Sequence, residues 1–460
     1  MRNNMVHMVE SLIIDCSTIL SLCIYSLAHL IDRWHAHCSG RLPPHLRNAA
    51  VTQTANEFTK ARRASLIAAI FMMATSAIGP GFLTQTATFT ATLGAAFAFG
   101  ILASILIDFV VQLNVWRIVT LTRMRASDLA NAAIPGSGYL LAVLVIFGGL
   151  VFSLGNIAGA GLGLNALTGL DPKWGGALSA LIAIAIFSSH RAGIAMDRIM
   201  MVLGTLKVCL ILFAAFASHP PLGEALRQTV LPDMVDFAAI TTIVGGTVGG
   251  YITYAGAHRL LDRGTVGVEN IDVVSKAALT GILVTGIARY VLFLAILGVV
   301  ASGVVIDVSG QGANPAAQAF GAAAGNFGLM MFGLVLWAAG ISSVIGASYT
   351  SMSFITVFSK RITERARNLA TVGFILITVV VYVMWGKPPA ALLVFAGGFN
   401  GLILPLGLSI FMYVGWRRSD LMDGYHYPRW LLVLGVLTCL LSWYMAFKSA
   451  GAIFAFINAA

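Results

Sequence analysis

The sequence predicts an all-α protein that crosses a membrane many times and contains two interrupted helices. Of its 460 residues, 58% are hydrophobic and only 10% are charged, and the mean hydropathy is +0.89. Apolar stretches of about 20 residues, the length of a membrane-spanning helix, recur along the chain. Glycine-rich breaks interrupt two of them. A membrane β-barrel would show shorter segments of alternating hydropathy instead.

The first 64 residues differ in character from residues 65–460, which are predicted to form one membrane domain. Residues 12–30 are fairly apolar but include Asp15. We expect this segment to be an extra span, an amphipathic surface helix or an upstream extension outside the natural product. Arg2 is the only basic residue ahead of it, and acidic residues are present, which is not typical of a secretory signal peptide.

Eleven core spans are predicted, of which the fourth is short. Spans one to five and six to ten form two five-helix halves. Because each half has an odd number of helices, the two halves have opposite orientations in the membrane. The approximate limits of the spans are Leu66–Thr92, Phe97–Val119, Tyr139–Leu167, Ala177–Ser188, Met200–Ala217, Phe237–Ala257, Ala277–Ala301, Asn326–Ile355, Leu369–Trp385, Ala390–Tyr413 and Trp430–Phe447.

The basic residues support this count and give it an orientation. With the start of the first core span in the cytoplasm, fifteen Lys and Arg residues fall in the inside loops and four fall outside (Lys173, Arg227, Lys387 and Lys448). That asymmetry follows the positive-inside rule. The net charge of +10 is therefore typical of a multi-pass membrane protein, and we expect it in a bacterial-type inner membrane. The expected partner is the lipid bilayer, and no nucleic acid is expected.

The sixth span contains the more conspicuous break. Its residues Val244–His258 include Gly245, Gly246, Gly249 and Gly250. Each glycine costs about 1 kcal/mol relative to alanine inside a helix. In a membrane, irregular backbone persists only where it is buried in protein or lines a cavity.

The first span carries the matching break. Ile78-Gly79-Pro80-Gly81 is followed by a polar run from Thr84 to Thr88. Interrupted spans at corresponding places in two halves indicate a binding site made by broken helices. The alternative interpretation is close helix packing through small residues. We predict that the binding residues lie around these breaks and on span ten: Thr84, Gln85, Thr86, Thr88, Thr247, Gly249, Gly250, Tyr251 and Asn400.

Ionisable residues inside membrane spans are functional candidates because their burial is costly. Asp108 lies in the second span, with Gln112 on the same helix face. We interpret it as a proton or cation relay or as part of an interhelical hydrogen bond. Arg289 lies near the middle of span seven. It is predicted to bind an anionic group, to replace a coupling ion or to pair with Asp108 or freed carbonyls, and Lys207 in span five is predicted to snorkel or to be buried.

Several smaller polar side chains also fall in apolar segments, where helix packing is their commoner role. Asn156 and Asn400 have the most glycine-rich surroundings, which allow close approach. His258, at the end of span six, is expected at the surface. The remaining members of this group are Ser153, Asn165, Ser342 and Ser343.

No enzyme or cofactor site is predicted. The sequence has no nucleotide-binding loop, catalytic dyad or metalloprotease motif. The cysteines have neither metal-ligand spacing nor a disulfide framework, and they are Cys16, Cys23, Cys38, Cys209 and Cys439.

From Ile78 to span ten the chain resembles the NRAMP family of proton-coupled divalent-metal carriers. The resemblance rests on five segments, of which the span-three segment is the most specific. They are GPGF (79–82), SDLANA (127–132), GNIAGAGLGLNALTGLDPKWGG (155–176), AAGISSVIG (338–346) and LLVFAGGFNGLILP (392–405). The resemblance implies a LeuT-like inverted repeat of five plus five helices with unwound first and sixth helices, followed by an eleventh helix.

The metal-binding motifs of that family are absent. The Asp-Pro-Gly-Asn motif of span one is replaced by the run from Thr84 to Thr88, and the Met-Pro-His motif of span six by Gly249-Gly250-Tyr251. The acidic pair of span three falls on Ser153 and Asn156, and the glutamine of span ten falls near Gly397. No metal ligand is therefore assigned.

Three functions remain open. The resemblance implies a proton-coupled carrier of Mn- or Fe-type divalent ions. The missing ligands favour an H⁺- or Na⁺-coupled carrier of a small organic anion, and the resemblance to a branch found beside oxoprolinase subunits suggests pyroglutamate. The third alternative is a membrane sensor that has lost transport.

Overall fold

The computed structural model describes residues 77–188, 209–308, 313–359, 361–385 and 389–458. The predicted N-terminal extension, the beginning of the first span and Lys207 lie outside these ranges. Within them, all regular secondary structure is helical. The all-α prediction is therefore confirmed for the part of the chain that the structure describes.

The described helices form one continuous series along the chain, which we divide into a first and a second half. The first half contains α1 (Pro80–Leu93), α2 (Phe97–Thr122), α3 (Ala126–Ala133), α4 (Ser137–Thr168), α5 (Pro172–Ser188), α6 (Cys209–Ala217) and α7 (Leu222–Val230). The second half contains α8 (Phe237–Gly245), α9 (Ile252–Asp262), α10 (Ile271–Ala301), α11 (Pro315–Ser353), α12 (Glu364–Trp385), α13 (Pro389–Arg417) and α14 (Arg429–Asn458).

Seven helical stretches of the described chain are long and apolar enough to cross a membrane, with α1 and α2 counted as one stretch. The bent pair α6 and α7 raises the number to eight. The predicted fourth span corresponds to the shorter helix α5, and the predicted sixth span to the broken pair α8 and α9. The described helices thus agree with the predicted order of spans.

Helix α4 packs against both α11 and α13. Small residues bring α4 and α11 into backbone contact: a Cβ on Gly340 would lie 2.6 Å from the Ala160 Cβ, and Gly163 faces the backbone of Trp337. Both glycines belong to the motifs that carry the family resemblance. This close packing fixes the helices around the two breaks.

Two details depart from a simple series of spans. The predicted loop after span five contains the short amphipathic helix α7, which lies at 112° to α6. Helix α11 is kinked at Gly325, where φ is +62°. The part of α11 that follows this kink begins where span eight is predicted to begin.

Candidate functional site at two helix breaks

The first break lies at Ile78 and Gly79, immediately before α1. Gly79 is the N-cap residue, with extended backbone and no side-chain cap, and Pro80 occupies the first helical position. Proline is suited to that position because its missing N–H would have no helical partner. The N-terminal end of α1, with its partial positive charge, is therefore exposed to the interior of the protein.

The second break separates α8 from α9 and covers residues 246–251. Gly250 has φ of +54°, a left-handed conformation that glycine adopts without a steric penalty. Its Cα also faces the side-chain oxygen of Asn400, and a Cβ at this position would overlap that atom. The break therefore requires glycine at position 250 for two independent reasons.

Asn400 packs against the second break and forms hydrogen bonds to the surrounding helices. Its Nδ2 atom donates to the carbonyl oxygens of Gly148, at 3.0 Å, and Ala396, at 2.8 Å. Its Oδ1 atom has no hydrogen-bond partner. Asn400 thus joins α13 to α4, and its role as a substrate ligand remains a prediction.

A cluster of buried polar groups, which we call the Asn156 cluster, surrounds the first break. It consists of Asn156, Tyr251 and Ser343. A Cβ on Gly79 would lie 2.8 Å from the Ser343 Oγ and 3.7 Å from the Asn156 Oδ1. The Tyr251 hydroxyl approaches the Asn156 side chain, yet no hydrogen bond of normal geometry satisfies either group or the serine hydroxyl. All three residues are at most 3% exposed.

Arg289 of α10 lies beside the second break. Its Nη1 atom donates to the Thr247 Oγ1, at 2.9 Å, and to the Ile243 carbonyl, at 3.2 Å. The guanidinium also stands over the Phe82 ring, 4.3 Å from its centroid. Its Nε and Nη2 atoms are buried without partners. One nitrogen therefore holds Arg289 to the break, and the other two remain available.

Asp108 faces the same place from α2. It interacts electrostatically with Arg289 and lies beside Thr247, and its Oδ1 atom has no hydrogen-bond partner. Gln112, one turn further along α2, accepts a hydrogen bond from the Thr253 hydroxyl of α9 at 3.0 Å. The carboxyl group and the arginine are thus close enough to influence each other, while Gln112 has a packing role.

Gln85 lies between the two breaks. Its Nε2 atom donates to the Leu393 carbonyl of α13 at 2.9 Å. Its amide fills the space beside Gly246 and Gly397, and its Oε1 atom has no partner. Gln85 therefore occupies the volume that a side chain at position 397 would need.

The predicted threonines of α1 divide into two groups. Thr86 satisfies its hydroxyl by bonding to the carbonyl of Phe82 at 2.7 Å. The hydroxyls of Thr84 and Thr88 are buried without partners. These two residues are four positions apart and so lie on one face of α1.

The structure brings most of the predicted residues to the breaks and adds others. Ser343 and Phe82 belong to the site, although the sequence assigns Ser343 to packing. His258 is buried, with 4% exposure, so the expectation of a surface residue is wrong. It accepts a hydrogen bond from the backbone N–H of Ala126 at 3.2 Å and contacts the Ser353 hydroxyl at 3.1 Å.

The donor set around the breaks suits a polar solute better than a divalent cation. No group of three or more His, Cys, Asp or Glu side chains occurs among the described residues. Hard divalent cations prefer several oxygen ligands, usually with carboxylates among them. The site instead offers a single carboxyl group, Asp108, which faces Arg289, together with amides, hydroxyls, a helix N-terminus and one guanidinium.

Two helix breaks inside a multi-pass helical domain are the arrangement expected of a membrane transporter with LeuT-like architecture. The fold is similar to those of two solved structures. A structure of the Eremococcus coleocola manganese transporter in complex with an aromatic bis-isothiourea substituted compound matches with a TM-score of 0.67, at 14% identity, over 92% of this chain and 96% of that one. MhsT in complex with L-phenylalanine matches with a TM-score of 0.57, at 16% identity, over 85% and 98%.

The chain belongs to the natural resistance-associated macrophage protein-like (Nramp) family, whose model matches residues 70–449. It is 49% identical over 372 residues to the membrane protein YcsG of Bacillus subtilis (strain 168), and this alignment covers 81% of this chain and 90% of that protein. It is 48% identical over 397 residues to a membrane protein of Haemophilus influenzae, and this alignment covers 86% of this chain and 98% of that protein. These matches confirm the predicted resemblance. The family is one of membrane transporters, not enzymes.

Proposed function

We propose that this protein is a secondary active carrier of a small organic anion, which binds at the two helix breaks. The observation that carries the proposal is Arg289, a cation that is 2% exposed and has two nitrogens without partners. An arginine at this depth in a membrane needs an anion, water or carbonyl groups to offset its burial. The Ile243 carbonyl and the nearby Asp108 meet part of this need, and a substrate carboxylate would supply acceptors for the two nitrogens that remain without partners.

The geometry of the arginine favours a carboxylate in particular. Nε and Nη2 form one edge of the guanidinium, and this edge can donate two parallel hydrogen bonds to one carboxylate. The opposite nitrogen, Nη1, is held by Thr247 and Ile243. The arginine is therefore oriented before the substrate binds, which reduces the entropy lost on binding.

The Asn156 cluster is suited to the uncharged part of such a solute. The Asn156 amide has a free donor and a free acceptor, so it can pair with an amide group of the substrate. The hydroxyls of Tyr251 and Ser343 add further hydrogen-bonding capacity. A small carboxylate that also carries an amide, such as pyroglutamate, has one group suited to each part of the site.

Asp108 is the proposed coupling residue. Its carboxyl group can exchange a proton and interacts with Arg289, so its charge opposes that of the arginine. Coupling to H⁺ is therefore favoured over coupling to Na⁺. We also propose an inner-membrane location, and the distribution of basic residues supports an orientation with the start of the first core helix in the cytoplasm.

A divalent metal ion is the second candidate substrate. Membership of the Nramp family favours it, and the fold is similar to that of a manganese transporter. The donor set opposes it, because amides and hydroxyls compensate poorly for the loss of a divalent hydration shell. A sensor without transport activity is the third alternative.

Uptake into proteoliposomes tests the proposal. Wild-type protein is expected to accumulate radiolabelled pyroglutamate under an inward proton gradient, and Arg289→Gln is expected to lose this uptake. Arg117→Gln is the matched control, since Arg117 is also a helix arginine and is partly buried, but it contacts Ser275 and Tyr425. Saturable Mn²⁺ uptake that is unaffected by Arg289→Gln would refute the organic-anion proposal.

A further inference from the structure

A polar cavity lies away from the two breaks, between the end of α9 and the start of α12. Its volume is about 420 Å³, within the usual range for sites that bind small ligands. Three arginines line it, Arg259, Arg263 and Arg367, together with Tyr349 of α11 and Thr363. The cavity therefore combines positive charge with hydroxyl groups that can donate hydrogen bonds.

Two acidic residues, Asp262 and Glu364, also line the cavity. Asp262 is already paired with Arg125 at 2.6 Å. Glu364 is 81% exposed and lies 4.0 Å from Arg367. The Nε atoms of Arg259 and Arg367 are buried without hydrogen-bond partners. Each of these two arginines retains a buried donor for an anionic oxygen.

Arg367 is also held in a fixed orientation. Its Nη2 atom donates to the Tyr349 hydroxyl at 3.0 Å, and its guanidinium carbon lies 5.1 Å from the centroid of that ring. A guanidinium that is fixed in this way loses little further freedom when it binds an oxyanion. The tyrosine thus holds Arg367 in position before a ligand binds.

The surface beside the cavity identifies the kind of anion. Only 28% of the apolar stretch of α12 is buried inside the protein, so most of this helix faces lipid. Leu369, two residues beyond Arg367, is 72% exposed, and Phe358 on the preceding segment is 48% exposed. Basic pockets next to lipid-facing helices are typical sites for anionic headgroups. A free phosphate would gain nothing from these apolar neighbours.

We propose that the cavity lined by Arg259, Arg263 and Arg367 binds the phosphate headgroup of an anionic phospholipid, whose acyl chains lie along the exposed face of α12. The phosphate oxygens accept hydrogen bonds from the arginines and from Thr363. The lipid links the end of α9, which is the second part of the broken sixth span, to α12. This inference does not depend on which substrate the carrier transports.

Thermal unfolding and native mass spectrometry of the purified full-length protein test this proposal. The probes are phosphatidylglycerol, phosphatidylcholine with the same acyl chains, and inorganic phosphate. Phosphatidylglycerol is expected to raise the Tm of the wild type and to remain bound in the mass spectrum. In Arg259→Gln and in Arg367→Gln its affinity is expected to fall about tenfold, the loss expected for one charge-assisted hydrogen bond.

Arg123→Gln is the matched control, because Arg123 is 56% exposed and pairs with Asp423 at 3.6 Å outside the cavity. It is expected to bind phosphatidylglycerol like the wild type. Equal stabilisation by phosphatidylcholine would overturn the proposal, as would unchanged affinity in both cavity variants. A shift with inorganic phosphate but none with phosphatidylglycerol would also overturn the lipid assignment. If one cavity variant does not fold, the other variant alone decides.

Discussion

The side-chain oxygen of Asn400 lies directly against the Cα of Gly250, where the backbone of the second break is left-handed. The same asparagine holds α13 to α4 through the carbonyl of Gly148. The unwound segment is therefore fixed by its neighbours rather than being loosely structured. A segment fixed in this way can present its polar groups to a substrate in a defined arrangement.

Gly250→Ala is expected to destabilise the protein beyond the cost of backbone strain. A left-handed alanine costs about 1–2 kcal/mol, and here its Cβ would also displace Asn400. Gly264→Ala is the control, since Gly264 has φ of +70° with no atom within 4 Å of the added Cβ. Thermal unfolding is expected to show a clearly larger loss for Gly250→Ala. Equal losses for the two variants would mean that the Asn400 contact is unimportant.

Gly246→Ala and Gln85→Ala are expected to be coupled. A Cβ on Gly246 would lie 2.5 Å from the Gln85 Oε1 atom, and its two next nearest neighbours also belong to Gln85. Removing the Gln85 amide therefore removes the overlap. A double-mutant cycle of unfolding free energies is expected to give a coupling within about 0.5–3 kcal/mol, the usual range for contacting residues. Additive effects would contradict the described position of Gln85.

Asp108→Asn is expected to uncouple substrate transport from the proton gradient. Asparagine keeps the size of the side chain but cannot exchange a proton. The variant should lose uptake driven by a proton gradient and retain exchange of labelled for unlabelled substrate. Asp272→Asn is the control, because Asp272 lies in the first turn of α10 and is exposed. Uptake by Asp108→Asn that still follows the proton gradient would exclude Asp108 as the coupling residue.

Arg289→Lys is expected to lose most of the activity although it keeps the charge. Lysine cannot offer the planar edge that binds a carboxylate through two hydrogen bonds. Loss of one charge-assisted hydrogen bond costs about 1.5–3 kcal/mol, so the KM for the anion should rise about tenfold or more. Steady-state uptake at several substrate concentrations provides the measurement. A KM equal to that of the wild type would show that charge alone is sufficient.

The breaks could be predicted from the sequence because they depend on local chemistry. Several closely spaced glycines in the sixth span and a Gly-Pro-Gly in the first disfavour continuous helices wherever they occur. The order of spans could be predicted for a similar reason, since apolar segments and loop charges are local features. Arg289 and Asp108 could be singled out because charges are rare inside membrane spans.

The contacts that shape the site could not be predicted in the same way. Gln85 and Gly397 are far apart in the chain, and only the packing of α1 against α13 shows that one fills the space left by the other. The burial of His258 likewise depends on Ala126 and Ser353 from two other helices. Ser343 resembles an ordinary packing serine until α11 is placed beside the first break. Such relationships require tertiary structure.

The most direct test of the central claim is ligand binding to the purified protein, measured as a shift in Tm. A ligand that binds the folded state raises stability by RT ln(1 + [L]/Kd). Mn²⁺, Cd²⁺ and Mg²⁺ are compared with small carboxylates, including pyroglutamate, on the wild type and on Arg289→Gln. We expect a saturable shift with a carboxylate that disappears in Arg289→Gln. A saturable shift with a divalent metal and none with any carboxylate would contradict the account.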